Sequence, residues 1–452
     1  MNKIFLFQHS FIKSCALYLK KTKKRKIDIS ISPLCFLTIW ASTPGRLKID
    51  EIIKKKNFFK FFYIFKNILS ISKNSDLTLF YNNSIELKKL KHKNIVISYI
   101  SKNNFDKFGN FRDFFFNTHA NKNKNLIWFL ISLDNYLPKK IENNIIIVAK
   151  KNFKSLDFIY ILKSFGKLLI SHRFSLKKIY HYFWFDFNYA IKISELFEKF
   201  FKKIKFKNVL LNYEGTIFQN YLLKTVKKIN NKSKTLGYLH CAPWPVQTDL
   251  FHRNNLLDKL IVSGVDQKKV LEKNFEWRKG KISVVPSLRF DKKRNKEFCG
   301  FIFIPFKLNN YYRYLSKFDN FLQFSQNAEI NNLTIRIHPL NKLSKIHNDF
   351  AIELKKIMKK NKNKFVNKNK NLSFFFGSAT GVSVQALEEG TQIIHFPDDA
   401  LLDTFSSDIW KNIEVIKLNE NVFKYKIRNR GKIFYTNYEK NKFKKYILPL
   451  LN

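Results

Sequence analysis

From about residue 208 the sequence alternates short, continuous apolar runs with longer stretches whose apolar residues recur at helical spacing. Asn208–Tyr213 (NVLLNY), Thr235–His240 (TLGYLH), Lys259–Ser263 (KLIVS) and Lys281–Pro286 read as strands, with helices at Thr216–Lys228 and Gln267–Asn274. Strands that are apolar throughout are covered on both faces, which points to a parallel sheet rather than a half-solvated antiparallel one. The charged run Asp291–Glu297 (DKKRNKE) contains no aliphatic residue and reads as an interdomain linker. Beyond it the rhythm restarts. Strands are expected at Gly300–Phe306, Leu333–Ile337, Leu372–Phe376, Gln392–Phe396 and near Ile413–Leu418, with helices at Phe318–Gln326, Asp349–Lys360 and Val382–Glu389. Residues 1–200 are less regular, although Asn144–Ala149 and Leu168–Ser171 look like strands. The pattern predicts an α/β protein of two doubly wound, Rossmann-like domains facing a cleft: residues 1–290, the linker 291–297, residues 298–440, and a tail at 441–452. In such sheets ligands sit beyond the carboxyl ends of the strands.

Composition narrows the class. At 45% hydrophobic and 16% aromatic, the 452-residue chain is too apolar for a disordered basic tail, and Gly 12 with Pro 10 excludes a collagen-like chain. Cys15, Cys35, Cys241 and Cys299 form no CxxC pair, which removes a disulfide scaffold and a zinc ribbon and fits a reducing, cytoplasmic compartment. Lys+Arg 84 against Asp+Glu 34 leaves a net charge of +50. Lys, Asn, Ile and Phe share AT-rich codons, so a solvated Lys-rich surface and a functional basic face account equally for the excess. A field of this sign attracts phosphates, nucleic acid and anionic lipid. The start, Met1–Leu19, has no small-residue cleavage site and is followed, not preceded, by its densest charge at Lys20–Lys26; no uncharged run of 18 apolar residues exists. Lys54–Lys66 (KKKNFFKFFYIFK) suits a core helix with snorkelling lysines, or an amphipathic helix on a membrane surface. No phosphate loop, GxGxxG after a strand, HExxH, GxSxG, DxD or RNP-like sequence is present, so neither metal nor cofactor is expected and no nucleic-acid module is supported.

Three loop clusters at predicted strand ends carry the candidate chemistry. In Asn212–Gly215 (NYEG), Glu214 closes a strand and Gly215 permits a tight turn into a helix. The carboxylate is either a general base, if an apolar site raises its pKa, or a helix-cap acid. In TIRIHPL, Pro339 ends a strand and fixes His338 at its carboxyl end, with Arg336 two residues back on the same face. His338 is then a donor to a phosphate oxygen, or a buried imidazole bonded to a carbonyl. Gly377–Ser383 (GSATGVS) puts Ser378, Thr380 and Ser383 at a helix start, an anion site or an ordinary N-cap.

An acid–Gly pair, His-Pro in the second domain and a Ser/Thr turn about 40 residues later resemble the motifs of bacterial sialyltransferases and polysialyltransferases, which have a GT-B fold. Tyr213–Gly215, Gly237–His240 (GYLH) and Pro286–Arg289 (PSLR) also resemble surface-carbohydrate biosynthesis proteins. The resemblance spans roughly residues 208–400 and rests on motif order and spacing. It implies a metal-independent glycosyltransferase of capsule or O-antigen assembly, using a nucleotide-sugar donor and a glycan or lipid-linked acceptor. Independently of the resemblance, the basic surface favours anionic donors and peripheral contact with anionic lipid at the inner membrane face. By the same resemblance Glu214 is the base, and His338 binds the donor phosphate and assists the leaving group. Arg336, Pro339, Ser378, Thr380, Ser383 and Gln385 hold the donor, while His240 and Arg289 line the cleft. The chain departs from the pattern in two places: Tyr213 stands where the family has a second acid, and Gln385 where many GT-B enzymes have a ribose-binding Glu. A CDP-polyol phosphotransferase of similar fold and a basic nucleic-acid-binding protein are the alternative readings.

Overall fold

The computed structural model describes residues 2–24, 76–82, 90–151, 187–202, 204–253, 256–290, 298–306, 308, 310–324, 333–338, 341–361, 371–378 and 381–452. Lys54–Lys66, the strand expected at Leu168–Ser171, the linker Asp291–Glu297, Pro339 and Thr380 lie outside them. Within them the protein is α/β, with two mainly parallel sheets.

The chain opens with helix α1 (Asn2–Lys24). Ile4, Gln8, Phe11, Ile12, Cys15 and Leu19 recur at helical spacing and are buried. The first sheet then builds from β1 (Leu77–Tyr81) and β2 (Asn94–Ile100), a small hairpin of β3 (Arg112–Asp113) and β4 (Thr118–His119), and β5 (Leu126–Ser132) and β6 (Ile145–Lys150). Helix α2 (Phe187–Phe201) leads to β7 (Val209–Asn212), α3 (Ile217–Ile229), β8 (Thr235–Tyr238), β9 (Lys259–Val262), α4 (Val265–Asn274) and β10 (Ile282–Val284). The strand order is β1-β6-β5-β2-β7-β8-β9-β10, parallel except for the β1 edge. Alternate residues of β5 enter two different cores: Ile127, Phe129 and Ile131 one, and Leu126, Trp128 and Leu130 the other. Both faces are therefore covered, as the uninterrupted apolar strands predict. The chain winds one way from β2 through β5 to β6, and the other way from β7 to β10, so the order reverses between β2 and β7.

The second sheet comprises β11 (Phe301–Phe303), β12 (Thr334–Arg336), β13 (Leu372–Phe376), β14 (Gln392–Phe396), β15 (Ile413–Asn419) and β16 (Val422–Ile427). It has the order β12-β11-β13-β14-β16-β15. Helices α5 (Tyr312–Phe324), α6 (Lys345–Lys360) and α7 (Gly381–Glu388) link its parallel strands. Here the order reverses between β11 and β13. β16, unforeseen in the sequence, inserts antiparallel between β14 and β15.

Several contacts join the sheets, two of them by way of whole segments of chain. Glu388 of α7 accepts backbone N–H groups from Gly431, Ile433 (2.9 Å) and Phe434 (2.8 Å). The loop thus held receives the N–H of Asp266 at Lys432 O, and Tyr435 O accepts the N–H of Ser287. A Cβ on Gly264 would stand 1.8 Å from Ile433 O, so only glycine admits this approach. The other connection is the return of the chain: a π-helical turn (Phe443–Ile447) and α8 (Leu448–Leu451) pack against the first sheet, with Phe443 beside Phe116 and Trp128.

Candidate functional site

Glu214 follows β7, and Tyr99 lies near the end of β2, so the switch point of the first sheet carries both. The turn Tyr213–Thr216 is lashed down by the first turn of α3. Gln219 Nε2 donates to the Asn212 carbonyl (2.6 Å) and Tyr99 Oη (3.0 Å), while its Oε1 accepts the N–H of Glu214 (2.8 Å) and Thr216 (3.2 Å). Asn220 accepts from Tyr213 Oη (2.8 Å) and donates to the Gly215 carbonyl (3.0 Å). Gly215 has φ +76°, and a Cβ there would meet Asp249 O at 2.3 Å. Capping thus falls to Gln219, and the Glu214 side chain turns toward His240 instead.

There its Oε1 lies 3.5 Å from His240 Nε2. His240 Nδ1 faces Asn212 Oδ1 at 2.6 Å, so Nδ1 carries the proton and Nε2 is left as an acceptor. Burial, opposed by the Arg289 guanidinium, raises the Glu214 carboxyl to about 7. Burial and the same guanidinium push His240 down to about 3. The contact is therefore not an ion pair at neutral pH: the imidazole is neutral and the carboxyl is near its midpoint. Arg289 is stacked over Phe115 and Phe290, at 5.6 and 4.9 Å from their ring centroids, and Phe115 packs edge-on to His240 at 4.4 Å. Tyr99 is held protonated, first by burial and then by the Glu214 charge.

The second sheet faces this corner. The N-terminus of α7 lies against Ala242, two residues after His240: a Cβ on Gly381 would stand 3.7 Å from Ala242 Cβ. Trp410 Nε1 donates to Pro245 O (3.0 Å). Gly377, at φ +88°, turns the chain after β13, and its carbonyl faces His395 Nε2 (2.7 Å), whose Nδ1 meets Tyr425 Oη (2.8 Å). Ser378 is half-buried at the mouth of this turn, whereas Ser383 and Gln385 are buried within α7. What the second sheet offers a ligand here is Ser378 and the N–H groups at the start of α7.

His338 stands exposed at the end of the edge strand β12, against the Phe306 ring at 4.8 Å. Partial desolvation, then the charges of Arg289 and His347, hold its pKa below the ordinary value, so at neutral pH it donates as neutral imidazole. That Arg289 acts on both Glu214 and His338 places the two within one electrostatic field. Arg336 shares the exposed face of β12 with His338, but its guanidinium lies 4.1 Å from the Phe301 ring centroid. The parallel pairing of β12 with β11 sets Phe301 opposite Thr334, within reach of that side chain.

Sequence reasoning passed over Tyr99, Phe115 and Cys241. Cys241 had a readable signal, adjacency to His240 at a strand end; Tyr99 and Phe115 come from distant segments that only the strand order brings together. One ligand atom from each of Glu214, His240 and Cys241 lies within 4.8 Å of the others.

No family model matches the sequence, and no curated protein matches it. Among solved structures the chain is similar to α,α-trehalose 6-phosphate synthase from Burkholderia multivorans, at 7% identity and TM-score 0.33, over 66% of this chain and 79% of that one. It is also similar to the wall teichoic acid polymerase TagF, at 10% identity and TM-score 0.29, over 74% and 76% of the two chains. At these scores the likeness assigns no activity, which has to come from the site.

Proposed function

We propose that this protein is a glycosyltransferase of GT-B type that moves a sugar from a nucleotide-activated donor to a hydroxyl of a glycan or lipid-linked acceptor in surface-polysaccharide assembly. The observation that carries it is Glu214, a half-buried carboxyl at the switch point of one sheet, raised to about 7, in a corner where Ala242 meets the N-terminus of α7 from the second sheet. A base with its pKa near working pH combines availability with driving force.

The acceptor hydroxyl approaches Glu214 Oε1. As its oxygen bonds to the anomeric carbon, its proton passes to Glu214, and the bond from that carbon to the donor phosphate oxygen breaks. His240, fixed by Asn212 with Nε2 as an acceptor, receives the Glu214 proton in a hydrogen bond once the carboxyl has taken it up. The departing phosphate gains negative charge, which Arg289 meets as a permanent cation, and His338, Ser378 and the α7 N–H groups meet as donors. Every step uses the chain's own groups, and no cofactor or resident metal is proposed. Thr380 and Pro339 remain part of the donor-side proposal from sequence, as do Ser383 and Gln385, which shape α7 from within. Arg336, held by Phe301, would serve the donor only by swinging off the ring.

Contact with anionic lipid, on the cytoplasmic side, is supported by α1. Among the described residues no helix is long and apolar enough to cross a membrane. Instead α1 exposes Leu6 and Leu17, each at 57%, on a stripe with Lys3, Lys13, Lys20 and Lys24.

The test is a thermal-shift screen of CMP, CDP, UDP and GDP against wild type and His338→Ala. A nucleotide at 100 times its dissociation constant stabilises the fold by about 2.7 kcal/mol. One nucleotide that shifts the wild type and not the variant supports the reading and names the donor class, with CDP favouring a polyol phosphotransferase. No shift with any of the four sinks the donor site.

A further inference from the structure

The corner that holds Glu214 also has the makings of a cation site. Carboxylate, imidazole and thiol meet within 4.8 Å at Glu214, His240 and Cys241. Hard ions such as Mg²⁺ and Ca²⁺ take oxygen ligands, whereas a mixed N, S and O set suits a borderline ion of the zinc class. Three protein donors leave a fourth position open, as in zinc sites that keep an exchangeable ligand.

One edge of the site already has the length that coordination requires, and Cys241 Sγ lies within 4.8 Å of both its ends. The 3.5 Å between Glu214 Oε1 and His240 Nε2 matches the edge of roughly 3.4 Å in a tetrahedron with bonds of about 2.1 Å. The Asn212 oxygen at His240 Nδ1 directs the lone pair of Nε2 toward Glu214, the outer-shell arrangement that fixes metal-bound histidines. His240 is 6% exposed and Glu214 17% by side chain, so an ion there would be screened from water.

The charges around the corner set the conditions. Burial and the Glu214 charge keep the Cys241 thiol protonated, and Arg289 acts the other way. Binding therefore expels the thiol proton, together with the carboxyl proton where Glu214 holds one, to solvent. Arg289 repels an incoming cation, but with both acids ionised the cluster still carries one net negative charge against it.

The geometry points to a reversible site for a zinc-class divalent cation on Glu214, His240 and Cys241, which when filled ties up the oxygen that Glu214 would offer as a base. The metal-free protein is then the competent form, and the metal is an inhibitor. This consequence rests on the transferase reading; the binding does not.

The experiment uses the full chain without an affinity tag, stripped with a chelator, then titrated with Zn²⁺ against a chromophoric competitor and separately with Co²⁺. One equivalent of Zn²⁺ is expected to bind tightly, and Co²⁺ to give a thiolate-to-metal charge-transfer band in the near ultraviolet. Cys241→Ser abolishes that band and weakens Zn²⁺ by more than the roughly 10- to 100-fold that losing an outer-shell partner costs. If Cys241→Ser binds Zn²⁺ as wild type does, or wild type gives no thiolate band, the site is refuted. In a transfer assay, Zn²⁺ inhibits wild type and spares Cys241→Ser; equal inhibition of both refutes the inhibitory role. A protein that binds through Cys241 yet transfers no sugar would overturn the transferase reading and leave the site standing.

Discussion

Replacing Glu214 with Gln is expected to make the protein more stable while removing its activity. The carboxyl titrates near 7 in the folded protein against an ordinary 4.5, so ionising it in place costs about 3 kcal/mol at 1.36 kcal/mol per pKa unit. The sign follows from proton binding. Below pH 4.5 the acid is neutral in both folded and unfolded chains, and its favourable contribution is complete. Between 4.5 and 7 the unfolded chain gives up its proton first, and that contribution is lost as pH rises through the folded value. The amide of the variant carries no charge at any pH and avoids the loss. Glu214→Gln should therefore match wild type at pH 4.5 and exceed it by about 3 kcal/mol at pH 8. Urea unfolding followed by tryptophan fluorescence, with chelator present, gives the difference at each pH. A difference that stays flat from pH 4.5 to 8 refutes the reasoning, because Glu214 would then be titrating as an exposed carboxylate does.

Arg289→Met removes the cation that lowers Glu214, so the acid limb of kcat/KM, expected near pH 7, should move to higher pH; a limb that stays put places the base elsewhere. Glu388→Ala frees three backbone N–H groups of the 431–434 loop and should cost about 3 kcal/mol, read as a lowered unfolding midpoint and faster proteolysis at that loop. Leu6→Ser with Leu17→Ser should leave the fold intact, since both side chains are exposed, and weaken sedimentation with anionic vesicles. Unchanged sedimentation would remove α1 as the contact.

The chain beyond residue 208 was legible where its strands are buried on both faces and separated by helices, as at Val209–Asn212, Leu372–Phe376 and Gln392–Phe396. The runs at Leu372–Phe376 and Gln392–Phe396 appear in the structure with the boundaries their apolar content sets. The position of Glu214 at a strand end was legible too. Its environment was not: the burial that raises its carboxyl and the Arg289 guanidinium that opposes it depend on segments that only the strand order brings together. β16 (VFKYKI) was missed because its alternation with lysine resembles a solvated segment, while antiparallel pairing buries one side of it. α1 was obscured by lysines on its exposed stripe. Arg336 shows the limit of reading side-chain direction from spacing: it faces the way alternation requires, yet an aromatic ring on the neighbouring strand holds it.

The return of residues 443–451 to the first sheet governs how the chain is made. Phe443, Ile447 and Leu451 complete the core around Trp128, Phe116 and Ile147, and Asn208 donates to the Leu451 carbonyl (2.6 Å). On the ribosome, β5 emerges roughly 300 residues before the segment that covers it, a wait of roughly 15–60 s at ordinary synthesis rates. Throughout that interval Phe111 and Phe116 are the aromatic neighbours already made for Trp128, and the side that Phe443 completes stays open. A fragment ending at residue 290 lacks Phe443, Ile447 and Leu451, and so leaves this part of the first sheet's core incomplete.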